Sequence, residues 1–154
     1  MKFIQSLAAL KRTAHRALLL RLGTKSRRPL QQLVALRVIA REEVRTQSAL
    51  AERLMIDRPA VSRLVDRLEQ DGLLVRQSCD DRRCIALAVT TAAQPELKAL
   101  EDALSWLDGE IRARVPATEL RATIRVMERL QAALSAIEDA PPGKERPPAR
   151  RKKA

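Results

Sequence analysis

Aromatic residues are almost absent from this chain of 154 residues, although hydrophobic residues make up 45% of it. Phe3 and Trp106 are the only two aromatic residues, and tyrosine is missing. Because aromatic side chains are enriched in β-sheets, this composition favours aliphatic packing between helices. The hydrophobic fraction is too high for a wholly disordered chain. We therefore expect one domain-sized, mainly helical architecture.

Glycine and histidine are also scarce, which argues against most classes of enzyme. The four glycines are each separated by over thirty residues, which excludes a G-x-G-x-x-G turn and a Walker loop. A single histidine supplies neither an H-E-x-x-H zinc site nor a typical metal cluster. No serine lies in a nucleophile elbow. We predict a protein without enzymatic activity, cofactor or bound metal.

Long apolar runs are missing as well, since no uncharged stretch approaches the roughly 20 residues that cross a bilayer. Basic residues such as Lys11, Arg12 and Arg16 interrupt the N-terminal segment, which argues against a signal peptide. Two cysteines are too few for the disulfide framework of a small secreted domain. We expect a reduced, cytoplasmic protein with no membrane partner.

Positive charge is what the chain has in excess. It carries 30 Lys and Arg against 19 Asp and Glu, a net charge of +11, which favours a polyanionic partner through counterion release. Residues 141–154 hold six basic residues and four prolines, lack apolar residues that could pack, and are predicted to be a disordered tail. Two interpretations of this tail stay open: it adds nonspecific phosphate contacts, or it is only solvated.

Apolar residues recur at steps of three and four in four stretches, which predicts four amphipathic helices. The first covers about residues 2–22 and the second about residues 29–41. The third and fourth carry apolar stripes over residues 97–111 and 120–137. These helices flank a central segment with a different pattern.

The central segment, from Thr46 to Gly72, predicts two short helices, Gln47–Leu54 and Arg58–Gln70, joined by the turn Met55–Asp57. Each helix follows a residue whose side chain can cap it, and a glycine follows the second helix. Such a pair of helices can present its second member to the major groove of DNA, which is wide enough to admit it.

The exposed face of the second short helix suits DNA. Its predicted contact residues are Arg58, Pro59, Ser62, Arg63 and Arg67. Arg63, in the second turn, is predicted to read a base edge, while Arg67 is predicted to meet phosphate. Asp66 would repel phosphate unless it orients a neighbouring arginine. Taken alone, a polar helix face is just as often simply solvated.

A predicted hairpin follows, with strands over Leu73–Ser78 and Cys84–Thr90 around a charged tip. Arg82 and Arg83 at this tip can enter a minor groove, while Asp81 holds one guanidinium in place. Two elements would then grip one half-site of the duplex.

Cys79 and Cys84 flank the tip and can face each other closely enough for a disulfide. Oxidation would then stiffen or distort the hairpin. The favoured alternative is that they are two small, half-buried strand residues, because cross-strand disulfides are strained.

Four segments together resemble the MarR family of bacterial transcription regulators. They begin at Thr46 (TQSALAERL), Asp57 (DRPAVSRLVDRLE), Asp71 (DGLL) and Asp80 (DDRR). That family's wing signature, Asp-x-Arg, five residues and Leu-Thr, is present from Asp81 to Thr90 with Val in place of Leu. Two habits of the family are missing, since Ala49 replaces the usual Glu and Ala93 the usual glycine after the wing.

The resemblance implies a mainly α (α+β) fold, a winged helix-turn-helix with a helical dimerisation region built by the N- and C-terminal helices. It implies a single MarR-like domain over residues 1–140, with residues 1–28 and 92–140 for dimerisation and 30–90 as the DNA-binding lobe. A winged lobe of about sixty residues leaves the apolar stripes of the flanking helices uncovered, and a two-fold partner is the simplest cover.

Carried over residue by residue, the resemblance assigns the recognition-helix arginine to Arg63 and the wing contacts to Asp81 and Arg83. It implies a homodimeric, sequence-specific regulator of double-stranded DNA, most naturally a repressor at a pseudo-palindromic operator. Many relatives are released by a small acid, and an oxidant acting on the two cysteines is the alternative signal.

Such an effector pocket would be bordered by helices that carry four candidate residues. They are His15, Arg16, Trp106 and Arg112. An ordinary packing role is the favoured interpretation for each of them.

A protein-interaction module and membrane-surface binding are two rival functions. The exposed arginines argue against the first, and the mixed-sign charge of the last helices argues against the second.

Overall fold

The computed structural model describes residues 2–23, 25–42, 44–78 and 85–138. These residues fall in two compact units, one ending at Glu110 and the other beginning at Ile111. None of the helices within the described ranges has both the length and the apolar character needed to span a membrane. The predicted tail, residues 141–154, lies outside the described residues.

The described residues form α-helices joined to one antiparallel hairpin. The elements are α1 (Phe3–Leu22), α2 (Leu30–Arg41), α3 (Gln47–Leu54), α4 (Arg58–Gln70), β1 (Leu74–Ser78), β2 (Ile85–Val89), a 3₁₀ turn (Thr91–Ala93), α5 (Gln94–Arg112) and α6 (Ala117–Glu138). This order confirms the mainly α, winged helix-turn-helix fold predicted from the sequence.

Side-chain caps set the starts of the two short central helices. The Thr46 hydroxyl accepts a hydrogen bond from the amide of Ala49 at 3.1 Å, and the Asp57 carboxylate accepts one from the amide of Ala60 at 2.7 Å. Pro59 lies in the first turn of α4, where its missing N–H leaves no hydrogen bond unmade. Both predicted caps are therefore confirmed.

Gly72 ends α4 in the left-handed conformation, with φ of 71°. Its amide donates to the carbonyl of Glu69 and the amide of Leu73 donates to that of Leu68, both at 2.9 Å. This is a Schellman motif. Because Leu73 completes it, β1 begins at Leu74, one residue later than predicted.

The two strands pair in register from Leu74 opposite Val89 to Ser78 opposite Ile85. The amide of Leu87 also donates to the carbonyl of Arg45 at 2.7 Å. The chain that enters α3 therefore runs beside β2, and the hairpin is anchored to the start of the helix pair.

A single apolar cluster holds α4 against its neighbours. Its buried members are Ala35, Leu36, Val38, Ile39, Leu50, Ala51, Val61, Val65, Leu68, Leu73, Leu74, Leu87, Ala93 and Leu97. Leu64, predicted to be buried, is half-buried and packs at the edge of this cluster. No described polar or charged side chain is buried, so the position of α4 depends on apolar packing.

A second cluster joins the end of α1 to α2 and α5. Its buried members are Leu22, Leu30, Leu33, Ala99, Leu100 and Ala103. Val34 contacts both clusters, so α2 connects the base of the winged lobe with α5.

The apolar stripe of α6 is uncovered. No described side chain of this helix is buried, and Ile124, Met127 and Leu134 are each 40–53% exposed. On α1, Leu22 alone is buried among the described residues, while Phe3, Leu7 and other apolar side chains are exposed.

Met55, the residue that ends α3, occupies the left-handed region with φ of 54° and is 88% exposed. This region costs an L-residue with a side chain about 1–2 kcal/mol, while glycine loses about 0.5–1 kcal/mol more backbone entropy on folding. Since the exposed side chain packs against little, we expect Met55→Gly to raise the free energy of unfolding by roughly 0.5 kcal/mol, measured by urea denaturation.

Gly72→Ala is the matched control for Met55→Gly: it also changes a residue with positive φ, but it should lower the free energy of unfolding. A Cβ at this position would meet no atom within 4 Å, so any loss of stability comes from the backbone conformation alone. We expect it to destabilise the protein by about 1 kcal/mol. A Met55→Gly variant as unstable as Gly72→Ala would contradict the assignment of strain to Met55.

Candidate nucleic-acid interface

The solvent face of α4 carries the residues predicted to contact DNA. Arg58, Pro59 and Arg63 are exposed and Ser62 is half-buried. Among the described residues, neither Arg58 nor Arg63 takes part in an ion pair or a side-chain hydrogen bond. Their guanidinium groups are therefore available to an external acceptor.

Arg67 lies one turn farther along the same helix and is 66% exposed. Its Nε is 3.7 Å from Oδ2 of Asp71, the residue that follows α4. An exposed pair at this distance is weak and easily exchanged for a phosphate oxygen. Arg67 can therefore still take its predicted role as a contact to the DNA backbone.

Arg76 on β1 binds both carboxylates of the second half of α4. Its Nη2 donates to Oδ1 of Asp66 at 2.5 Å, and its Nη1 donates to Oε2 of Glu69. The hydrogen bond to Asp66 raises the pKa of the Arg76 guanidinium, with Glu69 adding to the effect. The conflict between Asp66 and phosphate was predictable from the sequence, but its partner Arg76 was not.

Arg28, just before α2, anchors the residue that follows the C-terminus of α4. Its Nη1 donates to Oδ2 of Asp71 at 2.6 Å and its Nε donates to Oε1 of Glu96, at the start of α5, at 3.2 Å. The Ser26 hydroxyl donates to the same Glu96 carboxylate at 2.6 Å. The C-terminal end of α4 and the N-terminal end of α5 are thereby held by one guanidinium.

These contacts shift the ionisation of the groups involved. The hydrogen bond from Arg28 holds the pKa of the Asp71 carboxyl below its ordinary value, and the charge of Arg67 lowers it further. The same hydrogen bond raises the pKa of Arg28. Both groups therefore stay charged over a wider pH range in the folded protein than in an unfolded chain.

Three solved structures resemble the chain over most of its length. Transcriptional regulator PA3341 is 25% identical with a TM-score of 0.76, covering 88% of this chain and 99% of that one. Staphylococcus aureus MepR in complex with DNA is 16% identical with a TM-score of 0.72, covering 87% and 98%. Staphylococcus aureus MarR in complex with salicylate and kanamycin is 20% identical with a TM-score of 0.74, covering 90% and 92%.

The last two likenesses show the fold alone. The sequence model of the MarR family, in contrast, matches residues 29–85, from the residue before α2 to the first residue of β2. This segment, which carries the helix pair and β1, is therefore similar to the MarR family, and the solved structures share its fold over most of the chain. Members of the MarR family are transcriptional regulators and not enzymes, in agreement with the function class predicted from the sequence.

An open cleft of about 680 Å³ lies beside the Arg28 cluster. It is lined by Arg27, Arg28, Pro29, Gln32, Arg67, Asp71 and Glu96. None of the four predicted effector residues is in this lining. Two features share the cleft: the guanidinium that anchors α4 and the Arg67 side chain predicted to meet phosphate.

The four predicted effector residues lie on two helices. His15 and Arg16 are exposed on α1. Trp106 is half-buried on α5, with the guanidinium carbon of Arg21 5.3 Å from its ring centroid. Arg112 is the last residue of α5 and is exposed. Their predicted effector role stays a prediction.

The predicted wing contacts Asp81, Arg82 and Arg83 lie outside the described residues, as do Cys79 and Cys84. The DNA-contacting and redox roles of this tip therefore stay predictions. Across the described ranges, no group of His, Cys, Asp and Glu side chains is arranged to hold a metal ion.

Arg28→Met removes the guanidinium from its two carboxylates, and we expect it to lower the thermal unfolding midpoint. Because the folded-state pKa of Asp71 is depressed, this stabilisation is present above the unfolded pKa, about 4, and is lost as pH falls through the folded value. The difference from wild type, followed by thermal unfolding between about pH 7 and about pH 3, should shrink at the acidic end.

Arg27→Met is the matched control, since exposed Arg27 forms no ion pair within the described residues. It removes the same charge from the adjacent position and should leave the unfolding midpoint nearly unchanged. An Arg28→Met deficit that stays constant over the whole pH range would argue against the carboxylate pairing as its source.

Proposed function

We propose that this protein is a homodimeric repressor that binds a pseudo-palindromic site in double-stranded DNA, with α4 of each copy in a major groove. The observation that carries the proposal is the state of Arg63. It is exposed in the second turn of a capped helix whose opposite face is packed into the core, and no described residue engages its guanidinium.

The form of α4 supports insertion into a groove. In the N-terminal half of α4, Arg58 and Arg63 are exposed to solvent and Ser62 is half-buried. An arginine fork matches the two acceptors of guanine in the major groove, and a serine hydroxyl bonds to either base edges or phosphates. Staphylococcus aureus MepR, which shares the fold, was solved in complex with DNA.

Dimerisation is supported by the uncovered apolar faces of α1 and α6. Exposed Ile124, Met127 and Leu134 recur at three- and seven-residue steps, so they form one stripe along α6. A monomeric protein rarely leaves such a continuous stripe in water. Two-fold pairing would cover this stripe and supply two recognition helices, one for each half-site of a pseudo-palindromic duplex.

Control by a small molecule stays a prediction from the family resemblance. Staphylococcus aureus MarR was solved in complex with salicylate and kanamycin. We extend to this chain only the general scheme, in which a bound effector releases the protein from DNA.

Replacing Arg63 with Ala should abolish recognition of one base pair in each half-site. A bidentate arginine contributes about 1–3 kcal/mol of discrimination, so affinity for a duplex selected by the wild-type protein from a randomised library should fall by roughly 5- to 150-fold for each half-site. Affinity for a scrambled duplex should change much less. Fluorescence anisotropy with both duplexes measures the two quantities.

Arg67→Ala is the comparison within the same helix. As a phosphate contact, it should weaken binding to both duplexes alike and lower the slope of log affinity against log salt by about 1 for each copy, or about 2 for the dimer. Unchanged discrimination by Arg63→Ala, with dimer mass retained, would contradict base recognition by Arg63.

Leu134→Asp should disrupt the dimer, because it places a charge in the apolar stripe of α6. The mass measured by analytical ultracentrifugation should move toward that of the monomer, and affinity for the selected duplex should fall with it. Ala132→Asp is the control: this exposed residue lies about 200° around the helix from Leu134. If both variants stay dimeric, α6 is not the interface.

A further inference from the structure

Asp66 places a negative charge on the face of α4 that we propose to bind DNA. It is 51% exposed on α4, three residues after Arg63 and directly before Arg67. Residues three apart on a helix are neighbours, so the Asp66 carboxylate can reach the Arg63 guanidinium. Left alone, it would repel phosphate and compete with the duplex for the arginine that is to read it.

Arg76 removes this conflict in the structure. It reaches Asp66 from β1, is itself largely covered, and ties the base of the hairpin to α4 through a hydrogen bond from its own amide to Oε1 of Glu69 at 3.3 Å. Since the strand is fixed by pairing with β2, the guanidinium is held in place on one side of α4.

We propose that Arg76 is a positioning residue for DNA recognition: it draws the Asp66 carboxylate toward β1 and thereby keeps Arg63 available to the duplex. The inference rests on the proposed DNA-binding function. Arg76 contributes here without touching DNA. It neutralises the Asp66 carboxylate and so leaves the Arg63 guanidinium free on the face of α4.

The local charge makes the proposal testable. Arg76 with Asp66 and Glu69 sums to one negative charge, and Arg76→Met leaves two. The double variant Asp66→Asn with Arg76→Met returns the site to the wild-type charge without restoring the guanidinium. A role through Asp66 therefore predicts rescue, whereas a direct DNA contact by Arg76 does not.

The experiment measures affinity for the duplex selected by the wild-type protein and for its scrambled version. Arg76→Met should bind the selected duplex about fivefold more weakly, the effect expected of one unpaired charge close to the phosphates. The double variant should return to within about twofold of wild type, and Asp66→Asn alone should stay within about twofold, since Arg76 already neutralises Asp66.

Two further variants make the comparison specific. Arg76→Met with Glu69→Gln has the same net charge, but Glu69 lies about 120° around α4 from Arg63, so it should recover less than Asp66→Asn does. Arg41→Met breaks a comparable pair, in which Nη2 of Arg41 is 2.7 Å from Oε1 of Glu101 on α5. It releases a carboxylate away from α4 and should leave affinity within about twofold of wild type.

Folding is followed by circular dichroism and thermal unfolding for every variant. Should Arg76→Met fail to fold, Arg76→Lys replaces it, because lysine keeps the charge but lacks the fork that serves two carboxylates. Its smaller loss of affinity should again be restored by Asp66→Asn. If the wild type discriminates between the two duplexes but the double variant binds the selected duplex as weakly as its Arg76 parent, the inference is overturned. If the wild type does not discriminate between the duplexes, the proposed function is overturned and the inference with it.

Discussion

Burial of one face of α4 is the constraint on which the rest of the lobe depends. Val61, Val65 and Leu68 have no exposed surface, and they meet residues of α2, α3 and both strands. Rotating the helix about its axis would bring these side chains into water at about 1.5–3 kcal/mol each. The direction in which Arg63 points is therefore set by apolar packing on the opposite side, and the ion pairs of Arg28 and Arg76 adjust a helix that is already oriented.

Local signals were enough to predict the elements. The caps at Thr46 and Asp57, the glycine after α4 and the apolar periodicity of the long helices depend on residues within a few positions of each other. For the same reason the exposed arginines of α4 could be identified from the sequence, because helical spacing alone separates them from Val61, Val65 and Leu68.

The contacts that tune the site could not be predicted in this way. Arg28 is separated from Asp71 by 43 positions and from Glu96 by 68, and no local pattern connects residues so far apart. Arg76 is only ten positions from Asp66, but the pairing depends on where β1 crosses α4, which follows from the Schellman turn and the strand register together. In the sequence, Arg28 and Arg76 are two among many basic residues. The tertiary fold pairs each of them with particular acidic residues.

No polar side chain is buried among the described residues, so the stability of the lobe and the chemistry of its surface depend on different residues. The groups that hold the lobe together are aliphatic, whereas the exposed arginines of α4 that we propose to face the duplex carry none of the packing. Substitutions on the outer surface of α4 can therefore alter which operator is preferred while the hydrophobic interior is untouched. Descendants of such a scaffold are free to diverge in target sequence one surface residue at a time, without passing through an intermediate that fails to fold.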